Sequence, residues 1–131
     1  MKLKNRSQYL DKLISVQDME VIKVVTGIRR CGKSSLLKLM MAHLRKQGVM
    51  EEQILSMNFE SMQFADMDSK SLYQYVMERA PKEKRLYLFL DEVQKVRDWQ
   101  DAVNSFRVDL DCDIYVTGSN SRMLSSELAT Y

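Results

Sequence analysis

Disulfide scaffolding is excluded first: the chain has only two cysteines, Cys31 and Cys112, too few for a framework. Cys31 stands inside a glycine loop where a crosslink would obstruct a ligand. Both thiols are therefore expected to be reduced, in a cytoplasmic setting. A surplus of charge is also missing. Twenty Lys and Arg face eighteen Asp and Glu, a formal net charge of +2, and so small an excess gives no electrostatic footprint for nucleic acid. No apolar run approaches the roughly 20 residues that span a bilayer, which points away from a membrane protein. The polar N-terminal stretch lacks the apolar centre of a secretory leader. There is no internal repeat and no low-complexity linker. The single histidine, His43, has no Cys or carboxylate cluster at metal-ligand spacing around it and receives no role. No G-x-S-x-G element or comparable nucleophile arrangement occurs.

What is present is a soluble-type composition, 45% hydrophobic and 29% charged over 131 residues, enough for one domain with a buried core. The ten methionines are scattered, as core filler would be. Short apolar runs alternate with helical periodicity, the pattern of a parallel sheet covered by helices. A helical stripe of Tyr9, Leu10, Leu13 and Ile14 precedes a strand over Val21–Thr26. A helix over Ser34–Gln47 follows, its face made of Leu36, Leu37, Met40, Met41 and Leu44, with Gly48 at its C-terminus.

The second strand is expected over Ile54–Phe59. Asp68 or Ser69 caps the next helix, which buries Leu72, Tyr73, Val76, Met77 and Ala80 and stops at Pro81. Leu86–Leu90 is apolar throughout, as in a strand buried on both faces. Asp98 is expected to cap a helix carrying Trp99, Ala102, Val103, Phe106 and Leu110. A fourth strand covers Ile114–Thr117, and a last short helix begins at Ser121.

Between the first strand and its helix lies Gly27-Ile28-Arg29-Arg30-Cys31-Gly32-Lys33-Ser34, a complete G-x-x-x-x-G-K-S phosphate-binding loop. In this order, strand, loop and helix bring loop N–H groups and the positive end of the helix dipole to one point, where a β-phosphate fits. Gly27 and Gly32 let the backbone turn and approach the phosphate without a Cβ in the way. Lys33, whose chain is expected to lie in solvent without ligand, carries its charge to the β- and γ-phosphates. Ser34 offers a hydroxyl to a magnesium ion. The candidate nucleotide-binding set is Gly27, Ile28, Arg29, Arg30, Cys31, Gly32, Lys33, Ser34 and Ser35. Arg29 and Arg30 are unusual in so tight a turn; one reaches the nucleotide or a neighbouring subunit, or both are simply solvated.

The third strand runs into Asp91-Glu92. An acidic residue at the C-terminal end of an apolar strand is the Walker B pattern, in which Asp91 holds magnesium through its water shell. Glu92 is placed to polarise an attacking water. At the end of the fourth strand, Ser119 and Asn120, with Thr117 behind them, are candidates to contact the γ-phosphate or the water. Ser and Asn are equally ordinary turn residues and caps. Asn58 is a candidate to hydrogen-bond Glu92 and hold it from water.

Together these segments resemble the AAA+ superfamily, and within it a bacterial and archaeal family of predicted ATPases that usually carries a further C-terminal domain. The resemblance is carried by Val24–Ser34, Phe89–Gln94, Thr117–Ser121 and Ser126–Tyr131. It implies a three-layer α/β P-loop NTPase with sheet order 5-1-4-3-2. Residues 1–131 are then expected to be the P-loop ATPase domain, with 1–20 as its N-terminal helical segment, truncated before the fifth strand and the lid. Four strands in order 1-4-3-2 would leave strand one on an open edge, through which the chain self-associates or which its N-terminal helix shields. The resemblance also implies ATP and Mg2+ as cofactors, hydrolysis of ATP to ADP and phosphate coupled to conformational change, and a protein partner that the sequence does not identify. With the lid and a catalytic arginine beyond its end, the chain by itself is expected to be inactive or very weak. Two other readings remain: a non-catalytic nucleotide switch, which needs binding but not Glu92, and a small-molecule phosphotransferase, for which no mobile basic segment follows Glu92. GTP is disfavoured, because no Asn-Lys-x-Asp element is present.

Overall fold

The computed structural model describes residues 2–25, 30–118 and 129–130. Along the chain run α1 (Lys2–Ser15), β1 (Lys23–Val25), α2 (Arg30–Lys46), β2 (Ile54–Asn58), α3 (Ser69–Arg79), β3 (Leu86–Asp91), α4 (Trp99–Asp109), β4 (Cys112–Thr117) and β5 (Ala129–Thr130). Every strand pairing is parallel, and the order across the sheet is β2-β3-β4-β1-β5.

The 1-4-3-2 order expected of the first four strands is found. The expectation of a missing fifth strand is corrected: Ala129 and Thr130 pair with Lys23 and Val24. The edge expected to be open along strand one is therefore covered at those two positions.

Alternation along each strand sorts side chains onto two faces. Leu86, Leu88, Leu90, Ile114, Val116 and Val24 face one layer, where Leu72 and Val76 of α3 and Trp99, Ala102, Val103 and Phe106 of α4 complete the core. Tyr87, Phe89, Tyr115 and Val25 face the other, against Leu13 of α1 and Leu36, Leu37, Met40, Met41 and Leu44 of α2. All six residues of β3 are buried, as its unbroken apolar run predicts for a central strand between helix layers. Each large apolar side chain so buried contributes about 1.5–3 kcal/mol. Stacked Phe89 and Tyr115, with ring centroids 4.7 Å apart, fill the middle of the α1/α2 face.

Helix ends follow local chemistry, with one exception. Asp68 accepts from the backbone N–H of Ser71 at 2.9 Å, and the Ser71 hydroxyl accepts from the backbone N–H of Asp68 at 3.0 Å, a reciprocal cap. Gly48 takes φ +98°, and the N–H of Val49 returns to the carbonyl of Leu44 at 3.0 Å, which closes α2. The exception is Asp98. It precedes α4 in a left-handed conformation and makes no side-chain cap; its carbonyl, not its carboxylate, accepts from Asp101.

Two strand boundaries also shift. β1 begins at Lys23 rather than Val21, because the chain from Asp18 bends back over the strand's start and the Lys23 ammonium donates to the carbonyl of Met19 at 2.6 Å. β4 begins at Cys112 rather than Ile114, because Asp113 is buried against Lys23 and belongs to the sheet. The helix expected from Ser121 lies outside the described residues, as does Thr26. Among the described residues no helix is long and apolar enough to cross a membrane.

Candidate functional site

Because the strands are parallel, their C-terminal ends meet on one edge of the sheet, where α/β folds bind ligands. Four polar side chains are buried there: Lys33 at 3% exposure, Asp91 at 7%, Glu92 at 2% and Thr117 at 0%. Burying so much charge is costly unless the groups satisfy one another, and here they do.

The helix α2 supplies the first pair. It begins at Arg30, not at Ser34 as expected, so the second half of the glycine loop is its first turn. The first four N–H groups of a helix have no acceptor within it. No acidic side chain fills that turn, while His43, Arg45 and Lys46 sit at the other end, so the N-terminus stays favourable to an anion.

Lys33 was expected in solvent; instead its ammonium donates to the carbonyl of Gly118 at 2.7 Å and lies 3.7 Å from Glu92 Oε2. The ammonium is drawn inward because the chain end of β4 and the Glu92 carboxylate offer it acceptors. Ser34 Oγ donates to Asp91 Oδ2 at 2.6 Å.

The other pair comes from β3 and β4. Thr117 Oγ1 donates to Asp91 Oδ1 and accepts from the backbone N–H of Glu92 at 2.9 Å. One hydroxyl thus ties both acidic residues to β4. Glu92 is left-handed, with φ 58°, a conformation that costs a non-glycine residue about 1–2 kcal/mol. The buried N–H bond holds it there. Its carboxylate accepts from Gln94 Nε2 at 2.7 Å.

Of the residues expected from sequence, Lys33, Ser34, Asp91 and Glu92 converge, with Gly32 and Ser35 half-buried beside them. Arg30 and Cys31 are placed in the first turn of α2, their side chains outside the described residues. Gly27, Ile28, Arg29, Ser119 and Asn120 lie outside the described residues. Asn58 does not hold Glu92: its side-chain oxygen accepts from the N–H of Glu60 at 3.0 Å, which turns the chain after β2. The amide on Glu92 belongs to Gln94. Sequence reasoning missed Gln94, whose only signal was its position two residues after Glu92, and ranked Thr117 behind two neighbours.

Among the described residues no group of three or more His, Cys, Asp or Glu gathers, so a metal here would rest on one carboxylate and one hydroxyl. The donor chemistry fits a small divalent cation. Magnesium takes oxygen donors, and the Ser34 hydroxyl and the Asp91 carboxylate, 2.6 Å apart, are of that kind.

Residues 20–131 match a family of AAA domains (AAA_14). The chain is 42% identical over 128 residues to an uncharacterized protein of Haemophilus influenzae, covering 96% of this chain and 32% of that protein. It is 30% identical over 110 residues to an uncharacterized protein of Methanocaldococcus jannaschii, covering 83% of this chain and 23% of the relative. The chain thus spans a third or less of the length of these curated relatives. The matched span includes Lys33, Ser34, Asp91 and Glu92, and the chain belongs to the AAA domain family of nucleotide-binding P-loop proteins.

Proposed function

We propose that the domain binds magnesium-ATP at the N-terminus of α2 and, within a protein of its relatives' length, hydrolyses it, with Glu92 as the base. The observation that carries this reading is the approach of Glu92 Oε2 to Lys33 Nζ at 3.7 Å, which sets a carboxylate beside the ammonium that would grip the γ-phosphate. Both side chains are buried, and paired charges buried at the N-terminal turn of a helix mark a candidate functional site.

The chemistry follows from the placement. Lys33 exchanges the carbonyl of Gly118 for phosphate oxygens when nucleotide arrives. Ser34 and Asp91 would hold magnesium, which would neutralise charge on the phosphates. Glu92 takes a proton from a water whose oxygen attacks the γ-phosphorus. The bond from that phosphorus to the β–γ bridging oxygen breaks, and ADP leaves with the electron pair. Thr117 keeps Asp91 and Glu92 in register through this step. Release of the Lys33–Gly118 bond also gives the segment after β4 a way to sense the nucleotide, the coupling to conformational change expected of such a domain.

Glu92→Gln tests the reading. The amide keeps size and hydrogen-bonding reach but cannot take the proton. ATP affinity should stay near that of the wild type while phosphate release falls by roughly 10²-fold or more. Wild-type turnover by this variant would favour the nucleotide switch, for which Glu92 is dispensable.

A further inference from the structure

Gln94 belongs to neither the glycine loop nor the acidic pair, and the proposed chemistry does not use it. It lies in the short turn Val93–Lys95 that follows Glu92. Its Nε2 donates to Glu92 Oε1 at 2.7 Å. The orientation of that amide is fixed by chemistry, since an ionised carboxylate only accepts and the amide oxygen would be repelled by it. Its own Oε1 is buried and has no hydrogen-bond partner among the described residues.

We infer that Gln94 is a positioning residue for Glu92, holding Oε1 so that Oε2 remains directed at the phosphate end of the site. This rests on the hydrolytic reading given above and adds the element that aims its base. These contacts act on different parts of the glutamate. Thr117 fixes its backbone at 2.9 Å, Gln94 fixes one carboxylate oxygen, and the other faces Lys33 at 3.7 Å.

The Gln94 contact matters most once nucleotide is bound. Without ligand, Lys33 attracts the Glu92 carboxylate as well. When Lys33 turns to the phosphates, that attraction is shared with several negative oxygens, and like charge pushes the carboxylate away from the γ-phosphate. A neutral amide donor on Oε1 opposes the displacement without adding charge. The i to i+2 spacing on a tight turn makes the arrangement rigid, because both side chains leave the same short segment.

The test is a double-mutant cycle on the protein, with magnesium-ATP affinity and kcat measured separately. Gln94→Met keeps length and volume and removes the donor. It should leave Kd within a few-fold and lower kcat by roughly 10²-fold, the scale expected when a reacting group is misplaced by about 1 Å. Gln94→Glu, which sets a second carboxylate against the first, should lower kcat at least as far. In the Glu92→Gln background, Gln94→Met should cost almost nothing more, because the residue it positions is already lost. A thermal melt of each variant separates this from unfolding. Wild-type kcat in Gln94→Met, or the same loss with and without Glu92, would overturn the inference while leaving Glu92 as base. Full turnover in Glu92→Gln alone would overturn both.

Discussion

Ser34 and Asp91 come from positions 57 apart in the chain, yet Oγ and Oδ2 meet at 2.6 Å. The contact joins the first turn of α2 to the end of β3, so it exists only when the sheet and its helix layer are assembled. It sets a hydroxyl beside a carboxylate at the proposed nucleotide site.

Asp91→Asn should therefore make nucleotide binding much less dependent on magnesium. The amide keeps the size and one acceptor oxygen but removes the charge that attracts the ion. Titrating ATP with and without magnesium should show a large difference in the wild type and a small one in the variant. An undiminished magnesium effect would remove Asp91 from the metal site.

Thr117 offers a second check through a single hydroxyl. Thr117→Val preserves shape but leaves the buried N–H of Glu92 unpaired, at a cost of about 1–3 kcal/mol. Stability and turnover should both fall, and Thr117→Ser should restore most of each. Equal behaviour of the Val and Ser variants would mean that the hydroxyl does not hold Glu92.

The opposite end of the same sheet face carries its own buried charges. Lys23 pairs with Asp113, both 0% exposed at the side chain, and Asp113 Oδ2 accepts from the Tyr115 hydroxyl at 2.7 Å and from the N–H of Asp18 at 2.9 Å. Lys23→Met should cost about 3–5 kcal/mol, because it strands a buried carboxylate. Adding Asp113→Asn should recover part of that loss, since the amide oxygen still accepts while the charge is gone. Urea unfolding of the single and double variants measures both; a neutral Lys23→Met would contradict the structural role.

Alkaline pH should weaken the fold through the same cluster. Burial, followed by the hydrogen bond to Asp18, pushes the Tyr87 hydroxyl from 10.0 up to about 12. Burial and then the Asp113 carboxylate raise Tyr115 further. Both groups hold their protons more tightly when folded. Their contribution is therefore complete below pH 10 and is lost as pH rises toward and through the folded values. Urea midpoints should fall from pH 10 to 12, with Tyr115→Phe flattening the decline. A constant midpoint over that range would contradict this.

The same residues show what the sequence made legible. The strand–loop–helix unit and the β3 run into Asp91-Glu92 were readable because local pattern dictates them: period-two burial, a glycine spacing, a carboxylate at a strand end. The strand order came through resemblance. Gln94 was not readable as a site residue, and Thr117 only as a candidate behind Ser119 and Asn120, because their roles depend on how the left-handed Glu92 is held. Lys23 and Asp113 were hidden for a related reason. A charged residue in a short strand looks like a boundary until its partner, on a strand 90 positions away, is known. Asp98 shows that a capping residue type does not fix its own backbone, since Asp also tolerates the left-handed region.

The most direct measurement is a calorimetric titration of the protein and of Lys33→Ala with magnesium-ATP, each variant's fold being verified by its thermal melt. Lys33 would make two or more charge-assisted contacts to phosphate worth about 1.5–3 kcal/mol each. The wild type should bind one ATP per chain, and Lys33→Ala should bind at least about 10²-fold more weakly while still melting cooperatively. Equal affinity in a folded Lys33→Ala variant would contradict the assignment of this site to nucleotide.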